Sequence, residues 1–436
     1  MASVLRWIPK LTANLVKITT ERPLLYTQIK YASFAAPESL QKIEDRPIIK
    51  HAMPNGLHAT KVVFSDKRMF DFKYIWLRDN CHCSKCIEPS TKQKIMDSPS
   101  LDVNIVPKVK QVNENGQLDI IWADDEGHHS VYDSHWLLQR GECFYQDTFE
   151  ASADVSHRPP VEEWDRMSIW KSFPEVPFKQ IQRADGLNSW LEMVHKYGIA
   201  VIRDVPTSED QLVKFVNRFA YVKETAYGIT FDVKSDPEPV HLANTSLKLD
   251  YHTDLNYREK SPGLQLLHCL EAHYEGEGES GGQSMFVDGF KAADWLQENH
   301  PSAFHLLSTT PIRFSIYLGN KRYVQHWPII CVDNNGDIQE IHHNNRTMGP
   351  LQVPNHMVIP FYHAYKIFTE KIRDQALELR FNLVPGDLVA FNNRRILHGR
   401  TEYDTSKMKR HLKGCYVDID EAMSHYDSLL DCDYPH

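Results

Sequence analysis

The chain has 436 residues, more than one core usually fills, so two folded units are expected. Hydrophobic residues make up 42% and charged residues 25%, and no apolar run approaches the ~20 residues that span a bilayer, so no membrane association is expected. A net charge of −9 argues against general nucleic-acid binding, which needs a basic surface.

Residues 1–36 carry Arg6, Lys10, Lys17, Arg22 and Lys30 against Glu21 alone, with Leu5, Ile8, Leu11 and Leu15 at helical spacing. This is the composition of a mitochondrial transit peptide, with a cytoplasmic protein as the alternative. A secretory signal needs an unbroken apolar core, and Pro9 and the charges interrupt every run. The eight cysteines are too few and too scattered for a secreted disulfide scaffold, which points to a reducing compartment.

Residues 47–140 read as an N-terminal domain of short β segments, with strands expected over Leu57–Phe64, Lys73–Arg78 and Leu118–Trp122 and a turn at Asn113–Gly116. Within it, the three thiols of Cys81, Cys83 and Cys86, so close together, cannot all pair with one another, whereas Zn(II) takes four soft ligands in a tetrahedron. His128 and His129 are candidates for the fourth. A closed Cys3His site has no open position, so its zinc would be structural.

The proline-bearing stretch 141–176 reads as a connection, and 177–425 as the catalytic domain. A helix is expected at about 184–196, ended near Gly198, followed by a buried strand over Ile199–Val205. Ser208 and Gln211 form a capping-box pattern for a helix to about Ala220. Gly263–Leu270 is strand-like, with His268 and Cys269 read as core, and Asp288 is placed to cap a helix to about Glu298. The region 311–358 is β-like, a helix is expected at about 361–373, and the turn Pro385-Gly386-Asp387 launches a strand over Leu388–Phe391. Lys413–Val417 closes the series. Many strands with a few helices fit a mainly β chain: a double-stranded β-helix, or jelly-roll, barrel with helical buttresses, plus the small β-rich zinc domain.

His252 and Asp254 would share one face of a strand, since side chains i and i+2 point the same way. Completed by His398, they make the two-His-one-carboxylate triad of non-heme Fe(II) oxygenases. Three ligands on one face of octahedral iron leave room for a chelating 2-oxo acid and O2, a combination that attacks unactivated C–H bonds. The oxo acid's far carboxylate needs a cation, and a guanidinium supplies two parallel hydrogen bonds. Arg410, twelve residues past His398 and in range of a neighbouring strand, is the candidate, with Arg400, Arg394 and Arg395 as rivals.

From residue 50 to 425 the chain resembles the γ-butyrobetaine dioxygenase and trimethyllysine dioxygenase family of carnitine biosynthesis. The resemblance rests on Trp76-Leu77-Arg78-Asp79-Asn80-Cys81-His82-Cys83-Ser84-Lys85-Cys86, His252-Thr253-Asp254, Gly263–Cys269, Val287-Asp288-Gly289-Phe290, Leu397-His398-Gly399-Arg400 and Arg410-His411-Leu412. The complete Cys-x-Cys-x-x-Cys is more like the γ-butyrobetaine branch. The resemblance implies zinc on Cys81, Cys83, Cys86 and His128, iron on His252, Asp254 and His398, and 2-oxoglutarate on Arg410. It also implies a homodimer and a need for ascorbate. The family's quaternary-ammonium substrate sits in an aromatic cage, for which Tyr227 and Tyr416 fall on two positions; Phe231 stands in place of a tryptophan and Asn244 in place of a tyrosine. The substrate carboxylate would meet Asn344 and His241, the latter another departure.

Overall fold

The structure is a computed structural model that describes residues 47–124, 127–143, 158–234, 247–276 and 281–430. The expected transit peptide, His241 and Asn244 lie outside the described residues. The chain divides into two compact units between Leu138 and Gln139.

The first unit holds two antiparallel three-stranded sheets: β1 (Ile49–Pro54), β2 (Ala59–Phe64) and β3 (Met69–Lys73), then β4 (Pro107–Val112), β5 (Leu118–Trp122) and β6 (His129–Tyr132). Strand alternation sends Leu118, Ile120 and Trp122 into a core with Phe72, Leu77 and Tyr132. Residues 73–78, expected as a strand, instead form a short helix, Tyr74–Asp79. Its buried residues Tyr74, Leu77 and Arg78 stand at i, i+3 and i+4, so one helical face is covered where a strand would have buried alternate residues.

In the second unit the strands are β7 (Glu175–Pro177), β8 (Ile199–Arg203), β9 (Phe231–Lys234), β10 (Leu249–His252), β11 (Leu264–Tyr274), β12 (Ser284–Asp288), β13 (Ile312–Leu318), β14 (Lys321–Trp327), β15 (Ile330–Val332), β16 (Ile338–Ile341), β17 (Leu379–Phe381), β18 (Leu388–Asn392), β19 (Ile396–Arg400) and β20 (Met408–Val417). A six-stranded sheet runs β7-β8-β18-β11-β20-β9 and a four-stranded sheet β10-β19-β12-β17, while β13-β14 and β15-β16 are hairpins. The chain alternates between the two sheets from β9 to β12 and again from β17 to β20.

Leu267, Leu412, Val389 and Phe391 from the larger sheet pack with Phe286 from the smaller, each side chain contributing about 1.5–3 kcal/mol by leaving water. Neighbouring residues on the same strands, Leu266, Ala390 and Cys415, face the other way, onto Trp190, Phe215 and Tyr426 of the covering helices. Burial on both faces explains why these strands read as unbroken apolar runs. The helices Gly289–Asn299, Pro301–Thr309 and Asn355–Ile372 contribute to a core with Met285, Val287 and Leu397 of the smaller sheet.

The helix Ala184–Tyr197 ends at Gly198 in the left-handed conformation, and Asp288 caps its helix by accepting from the Phe290 N–H, both as expected. Two helices differ. The capping box at Ser208 does not form: the helix is Gln211–Val216, and the Ser208 carbonyl, not its hydroxyl, accepts the Gln211 N–H. It loosens into i→i+3 bonds at Arg218 and Phe219 before Ala220. The helix expected from 361 begins at Asn355, after Pro354, and carries Pro360 inside it. One backbone bond is forgone there, since Pro360, the sixth residue, lies past the first-turn N–H groups that have no partner within the helix. Part of the stretch read as a connection packs onto this unit, with Trp164 buried and donating from its indole to the Tyr197 carbonyl (2.8 Å).

Candidate active site and metal centres

In the first unit, the strand β6 and the turn before it present His128 inward, while His129 faces out beside Asp119. His128 Nε2 lies 3.4 Å from Cys81 Sγ, 3.4 Å from Cys83 Sγ and 3.5 Å from Cys86 Sγ. A tetrahedral zinc with bonds of about 2.3 Å to sulfur and 2.0–2.1 Å to nitrogen puts those atoms roughly 3.5 Å apart. The four residues are therefore spaced as the ligands of one ion. Burial, then the neighbouring Cys81, pushes the Cys86 thiol up to about 12, so three thiolates in this pocket call for a cation.

In the second unit, β10 and β19 pair antiparallel with His252 opposite His398, which brings imidazoles from distant parts of the chain to ring centroids 4.2 Å apart. Asp254 does not continue the strand. β10 stops at His252, Thr253 donates to the His343 carbonyl (2.8 Å), and Asn393 clamps Asp254 by accepting its N–H (2.7 Å) and donating to its carbonyl (3.0 Å). The carboxylate then reaches His252 Nε2 at 3.3 Å and His398 Nε2 at 3.6 Å. Cis ligands around an octahedral ion with ~2.1 Å bonds stand about 3 Å apart, so the donor set fits one metal.

Electrostatics keep these donors in their metal-binding forms. The Asp250 carbonyl lies 2.8 Å from His252 Nδ1 and accepts its N–H, leaving Nε2 as the lone-pair donor. Burial, reinforced by the neighbouring His398 and Arg346, lowers His252 to about 4. Burial alone would raise Asp254, but the adjoining His252 and His398 hold it well below the usual carboxylate range. Tyr416 donates to the Asp254 Oδ2 at 2.9 Å.

The triad opens into a cavity of about 370 Å³ between the sheets, walled in part by Tyr227, Phe231, Tyr257 and Tyr416 and by Arg346, Arg400 and Arg410. Arg410 was expected on a strand next to His398. It lies instead on β20, in the facing sheet, because consecutive strands alternate between sheets here. It still reaches the cavity, is buried, and has no hydrogen bond or ion pair among the described residues. Burial, then the nearby Arg400, lowers it to about 10. Its rivals are engaged. Arg394 donates to the Ser261 carbonyl and Glu340, Arg395 to Asp288, and Arg400 to the Leu247 carbonyl while lying over the Tyr403 ring.

Three of the expected cage and carboxylate residues other than Tyr416 line this cavity. Tyr227 and Tyr257 bring their hydroxyls to 3.1 Å, and the Phe231 ring stacks on Tyr416 with centroids 5.1 Å apart. Gly414 makes room for that ring: a Cβ there would come within 2.3 Å of it. Asn344 donates to the Thr253 carbonyl (3.0 Å) and accepts the Arg346 N–H (3.1 Å). The sequence reading missed Tyr257, Asn393 and Arg346; Tyr257, three residues past Asp254, was the one within reach of a local signal.

Two imidazoles, a carboxylate and a buried guanidinium around one cavity of a two-sheet fold are the equipment of a 2-oxoglutarate-dependent dioxygenase. The family described as taurine catabolism dioxygenase TauD, TfdA matches residues 167–416, and that described as γ-butyrobetaine hydroxylase-like, N-terminal, matches residues 55–138. The γ-butyrobetaine dioxygenase of Pseudomonas sp. (strain AK-1) is 33% identical over 364 residues, covering 83% of this chain and 91% of that protein. The human γ-butyrobetaine dioxygenase is 32% identical over 377 residues, 85% of this chain and 94% of that one. Mouse mitochondrial trimethyllysine dioxygenase is 31% identical over 361 residues, 81% of each. The chain belongs to the family of γ-butyrobetaine and trimethyllysine dioxygenases. Among the described residues no helix is long and apolar enough to cross a membrane.

Proposed function

We propose that this dioxygenase hydroxylates γ-butyrobetaine to L-carnitine, using Fe(II), 2-oxoglutarate and O2. The observation that carries the reading is one cavity holding the His252–Asp254–His398 triad, the rings of Tyr227, Phe231, Tyr257 and Tyr416, and a buried Arg410 that has no ion pair among the described residues. His252, Asp254 and His398 would hold the iron. When bound, the ion brings 2-oxoglutarate and O2 together for oxidative attack on a C–H bond. Arg410 binds the far carboxylate of 2-oxoglutarate, and its burial strengthens that pairing. Asp250 and Asn393 orient the ligands, and Leu267, Phe286 and Leu412 exclude water beside them. The rings of Tyr227, Phe231, Tyr257 and Tyr416 hold the trimethylammonium group, each contributing roughly 0.5–2 kcal/mol.

The two sheets are read as a double-stranded β-helix over 177–425, and the 47–140 domain as one held by a structural zinc on Cys81, Cys83, Cys86 and His128. Mitochondrial relatives support import directed by residues 1–36, and the resemblance supports a homodimer that needs ascorbate. A second substrate, trimethyllysine or another quaternary-ammonium or amino acid derivative, is favoured by Phe231, whose single ring offers a smaller face than tryptophan.

Release of CO2 from 2-oxoglutarate, measured with each betaine in turn, tests the reading. γ-Butyrobetaine is expected to stimulate it most, and the absence of stimulation rejects γ-butyrobetaine as substrate. Arg410→Gln is expected to raise the KM for 2-oxoglutarate at least tenfold, since a charge-assisted bidentate pair is lost.

A further inference from the structure

We infer that Arg346 binds the carboxylate of the substrate, so that this enzyme selects a zwitterion by a full guanidinium charge at the anionic end. The inference rests on the quaternary-ammonium reading above and adds a residue to it. Arg346 lies in the turn after Asn344, in the wall of the triad cavity, and its guanidinium has no hydrogen bond or ion pair among the described residues. The same side chain borders a neighbouring cavity of about 630 Å³, which His252 and Asn344 also line. It therefore stands on the wall that the two cavities share, beside the triad.

Two further observations single it out. The first is that Asn344, the amide that the family resemblance sets against the substrate carboxylate, has other partners: it donates to the Thr253 carbonyl and accepts the backbone N–H of Arg346. Its role is to place the turn that carries Arg346. The second is charge. Asp254 and Asp232 are the carboxylates on the cavity wall; Asp254 belongs to the triad, and Asp232 is tied to His411 (2.7 Å) and Lys413 (3.3 Å). Against them stand Arg346, Arg400 and Arg410. Arg400 is engaged with the Leu247 carbonyl and the Tyr403 ring, and a dianionic cosubstrate is matched by Arg410 and the metal. One guanidinium is left over: Arg346 is exposed at the cavity wall, and Asp250, the carboxylate near it in the neighbouring cavity, is held by Arg373, so the fork of donors is open to an anionic substrate group.

The experiment compares γ-butyrobetaine with its carboxamide, which keeps the cation and removes the anion, on the parent enzyme, Arg346→Gln and Arg346→Lys. Steady-state CO2 release gives KM for each compound and for 2-oxoglutarate, and calorimetric titration of each compound gives binding without turnover. The parent is expected to favour the acid at least tenfold. Arg346→Gln is expected to weaken the acid roughly tenfold to hundredfold and to erase the preference, while KM for 2-oxoglutarate stays within twofold. Arg346→Lys keeps the charge and is expected to retain part of the preference. The inference is overturned if Arg346→Gln leaves the acid's KM and affinity within twofold, or if it raises the KM for 2-oxoglutarate instead. A parent that accepts acid and amide equally also overturns it and leaves the proposed function standing. A parent stimulated by neither compound nor by trimethyllysine sinks the substrate reading, and the inference with it.

Discussion

The Tyr416 hydroxyl donates to Asp254 Oδ2 at 2.9 Å, joining the last strand of the larger sheet to the carboxylate of the triad. The sequence reading gave Tyr416 to the aromatic cage. The structure makes it also a hydrogen-bond partner of the candidate iron ligand Asp254, restraining the rotation of its carboxylate. Removal of such a partner costs about 10–100-fold in metal affinity or activity. Tyr416→Phe keeps the ring against Phe231 and deletes only this bond. Anaerobic Fe(II) titration is expected to show affinity lower by roughly that factor, with the thermal midpoint little changed; an unaltered titration would show the bond to be incidental.

What was legible in advance follows from how far each relationship reaches along the chain. Cys81, Cys83 and Cys86 announce themselves because three thiols in so short a span have few other uses, and His252 with Asp254 reads as a pair from local spacing. Even there the physical reason was only half right, since β10 ends at His252 and Asn393, far downstream, aims Asp254. The sheet assignment of Arg410 was not legible, because spacing along the chain does not say which sheet a strand enters. Arg346 was invisible for a similar reason. An arginine in a polar turn reads as a solvated charge until the cavity beside it is seen. The Tyr74–Asp79 helix misled because aromatic and β-branched residues favour strands, and tertiary burial of one face overrode that preference.

Cys86→Ser tests the Cys3His cluster. The buried Cys86 and Cys81 lie around His128, and Arg78 donates to Cys86 Sγ at 3.4 Å. Because zinc binding of this kind contributes about 10–16 kcal/mol to small folds, the variant is expected to lose its zinc by elemental analysis and to become protease-sensitive within 47–138. Iron bound at the triad is expected to remain. Retention of one zinc per chain in the variant would contradict the assignment.

Arg395 and Asp288 form a fully buried ion pair, with Nε and Nη2 donating at 3.0 and 2.6 Å, and the same guanidinium donates to the carbonyls of Glu162 and Lys196. Breaking such a pair from one side strands a charge in the core. Arg395→Met is expected to cost about 3–5 kcal/mol in denaturant unfolding of the second unit. The double variant Arg395→Met/Asp288→Leu is expected to recover part of the loss, because no buried charge remains. A loss below about 1 kcal/mol for the single variant would mean that water reaches Asp288.

Glu163, outside the site, is a carboxyl raised into the neutral range. Burial, then the like charge of Asp294, raises its carboxyl from 4.5 to about 7, against the weaker pull of Lys291 at 3.7 Å. A raised carboxyl favours the protonated folded state, so its contribution is fully present below about pH 4.5 and is lost as pH rises through about 7. Glu163→Gln stays neutral throughout and is expected to remove that component: its thermal midpoint should fall less than the parent's between pH 4.5 and 7, by calorimetry at matched ionic strength. Asp294→Asn removes the like charge and is expected to move the same transition toward lower pH. Parent and Glu163→Gln curves that run parallel across that window would show that Glu163 titrates alike in the folded and unfolded chain.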